Sequence, residues 1–189
     1  MRTTGPSQAP LLMLDVVDVL DEAGIRYMIV GAIAAAYHGV IRASRDADAV
    51  VSLPESDLPA LAEKLAAAGL EVRISRGDAD DPIAQVILLT DAHGNMVDLL
   101  WGVRGMEKRA FERVRTTSLL GATVNVVGPE DFIAMKLSAG SPKDLGDATG
   151  VLEVCGQDLD VTLLRKVTRL YGSAEARALN TLLENHLQK

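Results

Sequence analysis

Asp46 and Asp48 stand two residues apart in Arg45-Asp46-Ala47-Asp48-Ala49-Val50-Val51, a run that reads as a β-strand. Side chains alternate along a strand, so both carboxylates project from one face while Ala47 and Ala49 project from the other. Two like charges so close repel. A divalent cation between them removes the conflict, and Mg²⁺ prefers carboxylate oxygens together with substrate phosphates. Just upstream, Gly31 interrupts an apolar run and offers backbone N–H groups to the phosphates of a nucleotide. The pairing predicts metal-dependent nucleotidyl transfer. The competing reading is an idle pair of solvated carboxylates on an edge strand. Asp is depleted in strands. Val50, Val51 and Leu53 point to a buried central strand, where idle charge is costly.

Asp98 is the third carboxylate of interest. It interrupts the otherwise apolar Met96-Val97-Asp98-Leu99-Leu100-Trp101, where a lone Asp needs a metal or a nearby Arg. If that strand lies beside the Asp46 strand, three carboxylates converge. Such a trio holds two metal ions, one activating the attacking hydroxyl and one holding the triphosphate. Arg42 can bind a phosphate or orient a carboxylate, and Ser44 can cap a turn or touch the nucleotide; structural roles stay open for both. Lys136 falls on a helix opened by Pro129, where an ordinary surface lysine is the alternative. Lys143, Asp144 and Asp147 fall on the next helix. Asp144 and Asp147 share a face there, and Asp144 is equally a candidate N-cap. His38 reads as a helix-end residue. His38, His93 and His186 are too scattered to form a metal cluster.

The elements that must position these residues follow from apolar periodicity. A helix is expected over Leu11–Ala23, ended by Gly24, then a strand over Ile25–Val30 and a short Ala-rich helix to Tyr37. The Asp46 strand runs to Leu53, ahead of Pro54. Leu58, Leu61, Ala62 and Leu65 recur at helical spacing up to Gly69, and Leu70–Ser75 alternates as a half-exposed strand. Ile83–Thr90 and Met96–Trp101 flank a turn and read as a β-hairpin. Val124–Val127 is one more short strand. Arg104, Lys108, Arg109, Arg113 and Arg115 read as a solvated helix face with local ion pairs, or else as a track for RNA phosphates. From Pro129 the pattern turns helical, with helices over Asp144–Val154, around Leu163–Tyr171 and over Ala174–Leu187. The fold class is therefore α/β (α+β): a mixed twisted sheet flanked by helices, followed by a helical C-terminal part. The division falls at residues 1–128 and 129–189.

The 189 residues suffice for such a core, and 48 % of them are hydrophobic. Aromatics make up only 3 %, which disfavours base stacking on an aromatic platform. A net charge of −7 argues against a protein that coats nucleic acid, although a local basic groove remains open. A single cysteine, Cys155, excludes a disulfide framework and reads as a small core residue. Met1–Pro10 lacks the apolar run of a secretory signal, and no stretch has the length of a membrane span. A soluble cytoplasmic protein is expected. The apolar stripes of the last two helices either complete the core or form a homodimer interface.

The ordered set of a strand, a Gly-led helix, Asp46-x-Asp48 on the next strand and Asp98 on a later one resembles the polymerase-beta-type nucleotidyltransferase superfamily. The stretch His38-Gly39 … Arg42-x-Ser44-x-Asp46-x-Asp48, with Lys136 and Lys143-Asp144-Leu145-Gly146-Asp147, is similar to its small bacterial branch of AbiEii-type toxins. The resemblance covers about residues 25 to 155. It implies a nucleotidyltransferase-like fold, Asp46, Asp48 and Asp98 as ligands of two Mg²⁺ ions (Mn²⁺ as a substitute), and transfer of an NMP from an NTP. Nucleotide contacts would come from Gly31, Ala32, Arg42, Ser44, Lys136 and Lys143. Lys136 would contact the triphosphate or the leaving pyrophosphate, and Asp147 would orient Lys136 or the acceptor. The acceptor hydroxyl would sit on a nucleic-acid end such as tRNA or on a protein, with an antitoxin as partner. A small-molecule acceptor, as in antibiotic-modifying relatives, and a catalytically retired binding module are the alternatives. Ala32 departs from the Gly-Gly or Gly-Ser pair of the superfamily, so a hydroxyl contact to the terminal phosphates is missing.

Overall fold

Period-two burial in the central strands organises the molecule. The structure, a computed structural model, describes residues 1–186. Its strands are β1 (Arg26–Val30), β2 (Asp46–Ser52), β3 (Glu71–Arg76), β4 (Ile83–Thr90), β5 (Met96–Val103), β6 (Arg115–Leu119) and β7 (Ala122–Val126). Its helices are α1 (Ala9–Glu22), α2 (Gly31–Tyr37), α3 (Leu58–Ala67), α4 (Pro129–Ala139), α5 (Pro142–Cys155), α6 (Val161–Tyr171) and α7 (Ser173–His186). The part of the last predicted helix at Leu187 lies outside the described residues.

The strands form one mixed sheet in the order β3-β4-β5-β2-β1-β7-β6, so β2 is central. β2 runs parallel to β5 and β1 parallel to β7, and the other neighbours are antiparallel. Ala47 and Ala49 of β2 are fully buried, and α1 packs against β1, β2 and β5 through a stripe that includes Leu12, Met13, Val16 and Leu20. Small side chains on β2 let this helix approach closely. α3 packs on β3, and α4 gathers α5, α6 and α7 around it. One hydrophobic cluster runs from the sheet into these last helices, from Leu12 to Leu183.

Two expectations need correction. The basic residues from Arg104 to Arg115 do not share a helix face: a short 3-10 turn spans Lys108–Glu112, and Arg115 opens an unpredicted strand, β6. That strand pairs with β7 through a two-residue turn in which Leu120 and Gly121 both have positive φ, the geometry that matches strand twist in a tight hairpin. β3 is more exposed than expected, because an edge strand has a neighbour on one side only.

Candidate active site

The parallel register of β2 and β5 sets Asp48 directly opposite Asp98, with Asp46 one step along the same face. Carboxylate oxygens of the three lie within 4.8 Å of one another. Their chemistry bears the mark of this crowding. Burial, then the charges of Asp46 and Asp98, push the Asp48 carboxyl up to about 6. Burial and Asp46 also raise that of Asp98. No arginine or lysine forms an ion pair with any of the three among the described residues, so the alternative of an Arg partner for Asp98 fails. Ser44 donates a hydrogen bond to Asp46 at 2.6 Å. A clustered, cation-free set of carboxylates is a donor set suited to a hard divalent ion.

Gly31 faces this cluster from the β1–α2 junction. Its φ of +61° belongs to the left-handed region, and a Cβ there would overlap the Asp48 carboxylate. Only glycine lets the backbone come this near. Ala32 follows it, buried, in the first turn of α2.

A second set of charges lies alongside, and it is paired. Asp147 of α5 is only 3 % exposed. It accepts from Arg42 Nε at 2.9 and 3.1 Å and sits 3.0 Å from Lys136 Nζ. Lys136 also donates to Asp144 at 2.6 Å. Burial would raise the Asp144 carboxyl, but hydrogen bonds from Lys136 and Ser141 outweigh it and hold the group below its ordinary value. Lys136 is 13 % exposed in its side chain, which removes the alternative of a free surface lysine. The cap of α5 is Ser141, whose hydroxyl accepts from the Asp144 backbone; Asp144 is the third residue of the helix and not its cap. Lys143 is exposed at the rim.

Helix α4, which carries Lys136, is fixed from outside the site. Arg113 grips Asp131 with two hydrogen bonds of 2.8 and 2.9 Å and reaches Glu107 at 2.7 Å, and Glu130 accepts from the backbone of Asp160 at 3.0 Å. Both acidic residues of the first turn of α4 are therefore spent on tertiary anchors as well as on the helix dipole. His38 caps the end of α2 and bonds the Val127 carbonyl at 2.8 Å, as expected of a helix-end residue.

Between the two sets of charges opens a cavity of about 280 Å³. Its wall combines Gly31, Asp46, Asp48, Lys136 and Lys143 with Ile83, Leu100, Val103 and Tyr171. The wall thus offers both charged groups that suit phosphates and apolar groups that suit a base.

No family model matches the chain, and no curated sequence does. Solved structures do. The antibiotic-resistance factor ANT(2'')-Ia superposes with a TM-score of 0.60 at 14 % identity, over 95 % of this chain and 96 % of its own. An antigenic nucleotidyltransferase-like protein from Paracoccidioides brasiliensis gives 0.54 at 16 %, over 98 % and 92 %. The lincosamide antibiotic adenylyltransferase LnuA, bound to lincomycin, gives 0.52 at 11 %, over 80 % and 99 %. The fold is that of the nucleotidyltransferases.

Within this nucleotidyltransferase fold the chain brings Asp46, Asp48, Asp98, Gly31, Ser44, Arg42, Lys136, Lys143 and Asp147 to one cavity and its margins. Sequence reasoning put Arg104 in a basic segment and Tyr171 in an apolar helical stripe, without placing either at this site; both stand on the cavity wall. Burial, with a smaller contribution from Asp131, holds the Tyr171 hydroxyl well above its ordinary range. The chain has only six aromatic residues. Tyr171 was one apolar tooth in a helical stripe, and nothing local marks which tooth faces a cavity.

Proposed function

We propose that the protein is a metal-dependent nucleotidyltransferase that moves an NMP from an NTP to an acceptor hydroxyl and releases pyrophosphate. The observation that carries this reading is the convergence of Asp46, Asp48 and Asp98 opposite Gly31, at the head of a cavity with Lys136 and Lys143. Asp46, Asp48 and Asp98 would hold two Mg²⁺ ions (or Mn²⁺), which when bound neutralise the triphosphate and activate the acceptor hydroxyl. Gly31 and Ala32 present backbone N–H groups to the phosphates at close approach. Lys136 and Lys143 balance charge on the β- and γ-phosphates as pyrophosphate departs. Asp147 holds Lys136 and Arg42 in place, and Asp98 would help to take the acceptor proton. A bond forms between the acceptor oxygen and the α-phosphorus, and the bond to the bridging oxygen of pyrophosphate breaks with its electron pair. Positioning and charge suffice, and no covalent enzyme intermediate is required. In this scheme residues 1–128 supply the carboxylates and residues 129–189 the cations that face the phosphates.

The AbiEii-like motifs would put the hydroxyl on a tRNA end or a protein, with an antitoxin as partner, in the cytoplasm. The names of two fold neighbours, an antibiotic-resistance factor and a lincosamide adenylyltransferase, favour a small-molecule acceptor instead. Within the basic segment Arg113 is paired with Asp131 and Glu107, which takes one of its five cations from any RNA track. Isothermal titration with each NTP, with and without Mg²⁺, tests the reaction class. Binding that needs Mg²⁺ and vanishes in Asp46→Asn/Asp48→Asn is expected. If wild type binds no NTP, the reading fails and Ala32 marks a retired site.

A further inference from the structure

Two cavities meet at Asp46, and Gly31 lines the first while Ala32 lines the second, so α2 begins on the wall between them. The first is the Gly31–Lys136 cavity described above. The second, about 440 Å³, lies between α2, the β6–β7 hairpin and the start of α1. Arg42, Ser44 and Asp46 are the residues on both walls. In-line transfer places the attacking and leaving oxygens on opposite sides of the phosphorus, so donor and acceptor must come to the metal-holding carboxylates from different sides. We infer that the second cavity is the acceptor site and that it takes an uncharged molecule with an apolar body and a free hydroxyl. The inference rests on the nucleotidyl-transfer reading.

The lining carries the argument. Ile33, Leu119 and Val126 give an apolar floor, and Tyr37, Thr117 and Ser118 add hydroxyls that can donate or accept. Arg42 is the one cation among the described lining residues, and its guanidinium is committed to Asp147. A polynucleotide needs several lysines or arginines for its phosphates, and this wall offers none free. A polycationic acceptor would need carboxylates along the wall, where Asp46 stands alone. The chain's net charge of −7 adds to the case against a polyanionic acceptor.

A third, shallower depression beside Asp46 carries Arg45 and Lys143. Lys143 also lines the first cavity, which gives its charge to the donor phosphates. An RNA acceptor would have to enter here, so the test includes it.

The experiment is methyl NMR on the full chain, saturated with Mg²⁺ and the α,β-methylene analogue of the best-binding NTP. The probes are hexyl β-D-glucoside, uncharged with an apolar tail, and a short RNA with a free 3′-hydroxyl. The glucoside should shift the methyls of Ile33, Leu119, Val124 and Val126. Filling the groove in Ile33→Trp, or independently in Thr117→Trp, should weaken glucoside binding roughly tenfold or more, with the donor-induced shifts intact. Donor shifts without glucoside shifts at these methyls overturn this inference alone. RNA binding that Arg45→Ala abolishes and the two groove variants spare overturns it in favour of a nucleic-acid acceptor. Absence of donor shifts in wild type sinks the nucleotidyl-transfer reading itself.

Discussion

Two groups of carboxylates lie near one another, one on β2 and β5 and one on α5, and they are opposite in electrostatic state. Asp46, Asp48 and Asp98 crowd together with no basic side chain between them, and the Asp48 carboxyl rises to about 6. Asp144 and Asp147 are interleaved with Arg42 and Lys136 at 2.6 to 3.1 Å. The first group is unfavourable on its own and waits for a cation from outside. The second is complete within the chain. A protein gains nothing in stability from the first arrangement, so its persistence calls for a task; the second stabilises and positions at once. The same Asp-to-Asn change should therefore act in opposite directions on the two sides.

The largest effect is expected from Asp46→Asn/Asp48→Asn, which should abolish Mg²⁺-dependent NTP binding and lower transfer by about 10³-fold or more. Activity that survives would mean the crowded group is idle. Next is Asp147→Asn, which leaves two buried or half-buried cations short of a partner. It should cost about 3 kcal/mol of stability and lower turnover by roughly 10²-fold. Chemical denaturation and steady-state rates measure the two separately. Unchanged turnover would strip Asp147 of its positioning role.

Asp48→Asn alone should do the reverse to stability. The folded-state pKa of Asp48 stands above its unfolded value of 3.8, so the folded chain holds that proton more tightly. The stabilisation is full below pH 4 and is lost as pH rises through about 6. At pH 7, in the absence of divalent metal, the variant should be more stable than wild type by on the order of 2 kcal/mol. Mg²⁺ should raise the melting temperature of wild type and not of the variant. A melting temperature lower in the variant at pH 7 would refute the contrast. The smallest effect belongs to Ser44→Ala, which removes one hydrogen bond to Asp46 and should weaken metal-dependent NTP binding roughly threefold to tenfold.

The carboxylate group was open to sequence reading because its signals are local. Asp46 and Asp48 obey strand alternation, and Asp98 stands out against Val97, Leu99 and Leu100. Their convergence needed one further fact, the pairing of β2 with β5, which the apolar character of both strands made a natural expectation. β6 escaped notice because Arg115-Thr116-Thr117-Ser118 is polar throughout, as an edge strand with one neighbour can be. Asp144 read as a cap candidate, but the helix starts earlier, at Pro142, and Ser141 takes the cap. The grip of Arg113 on Asp131 joins a loop to a helix, and no periodicity announces such a pair. The second cavity is assembled from four separate segments, so no single stretch of sequence carries its signature.

The pairing of Arg42 with Asp147 joins positions 105 residues apart. β1 likewise finds β7 only after most of the sheet has been made. Contacts of such long range close large loops and form late. A chain emerging from the ribosome therefore carries Asp46, Asp48 and Asp98 well before Lys136 and Lys143, and Arg42 well before its partner Asp147. Until α5 is made and docked, the wall of the cavity that carries Arg42 lacks its buried counter-charge, so this corner of the molecule takes its final form only when folding is nearly finished.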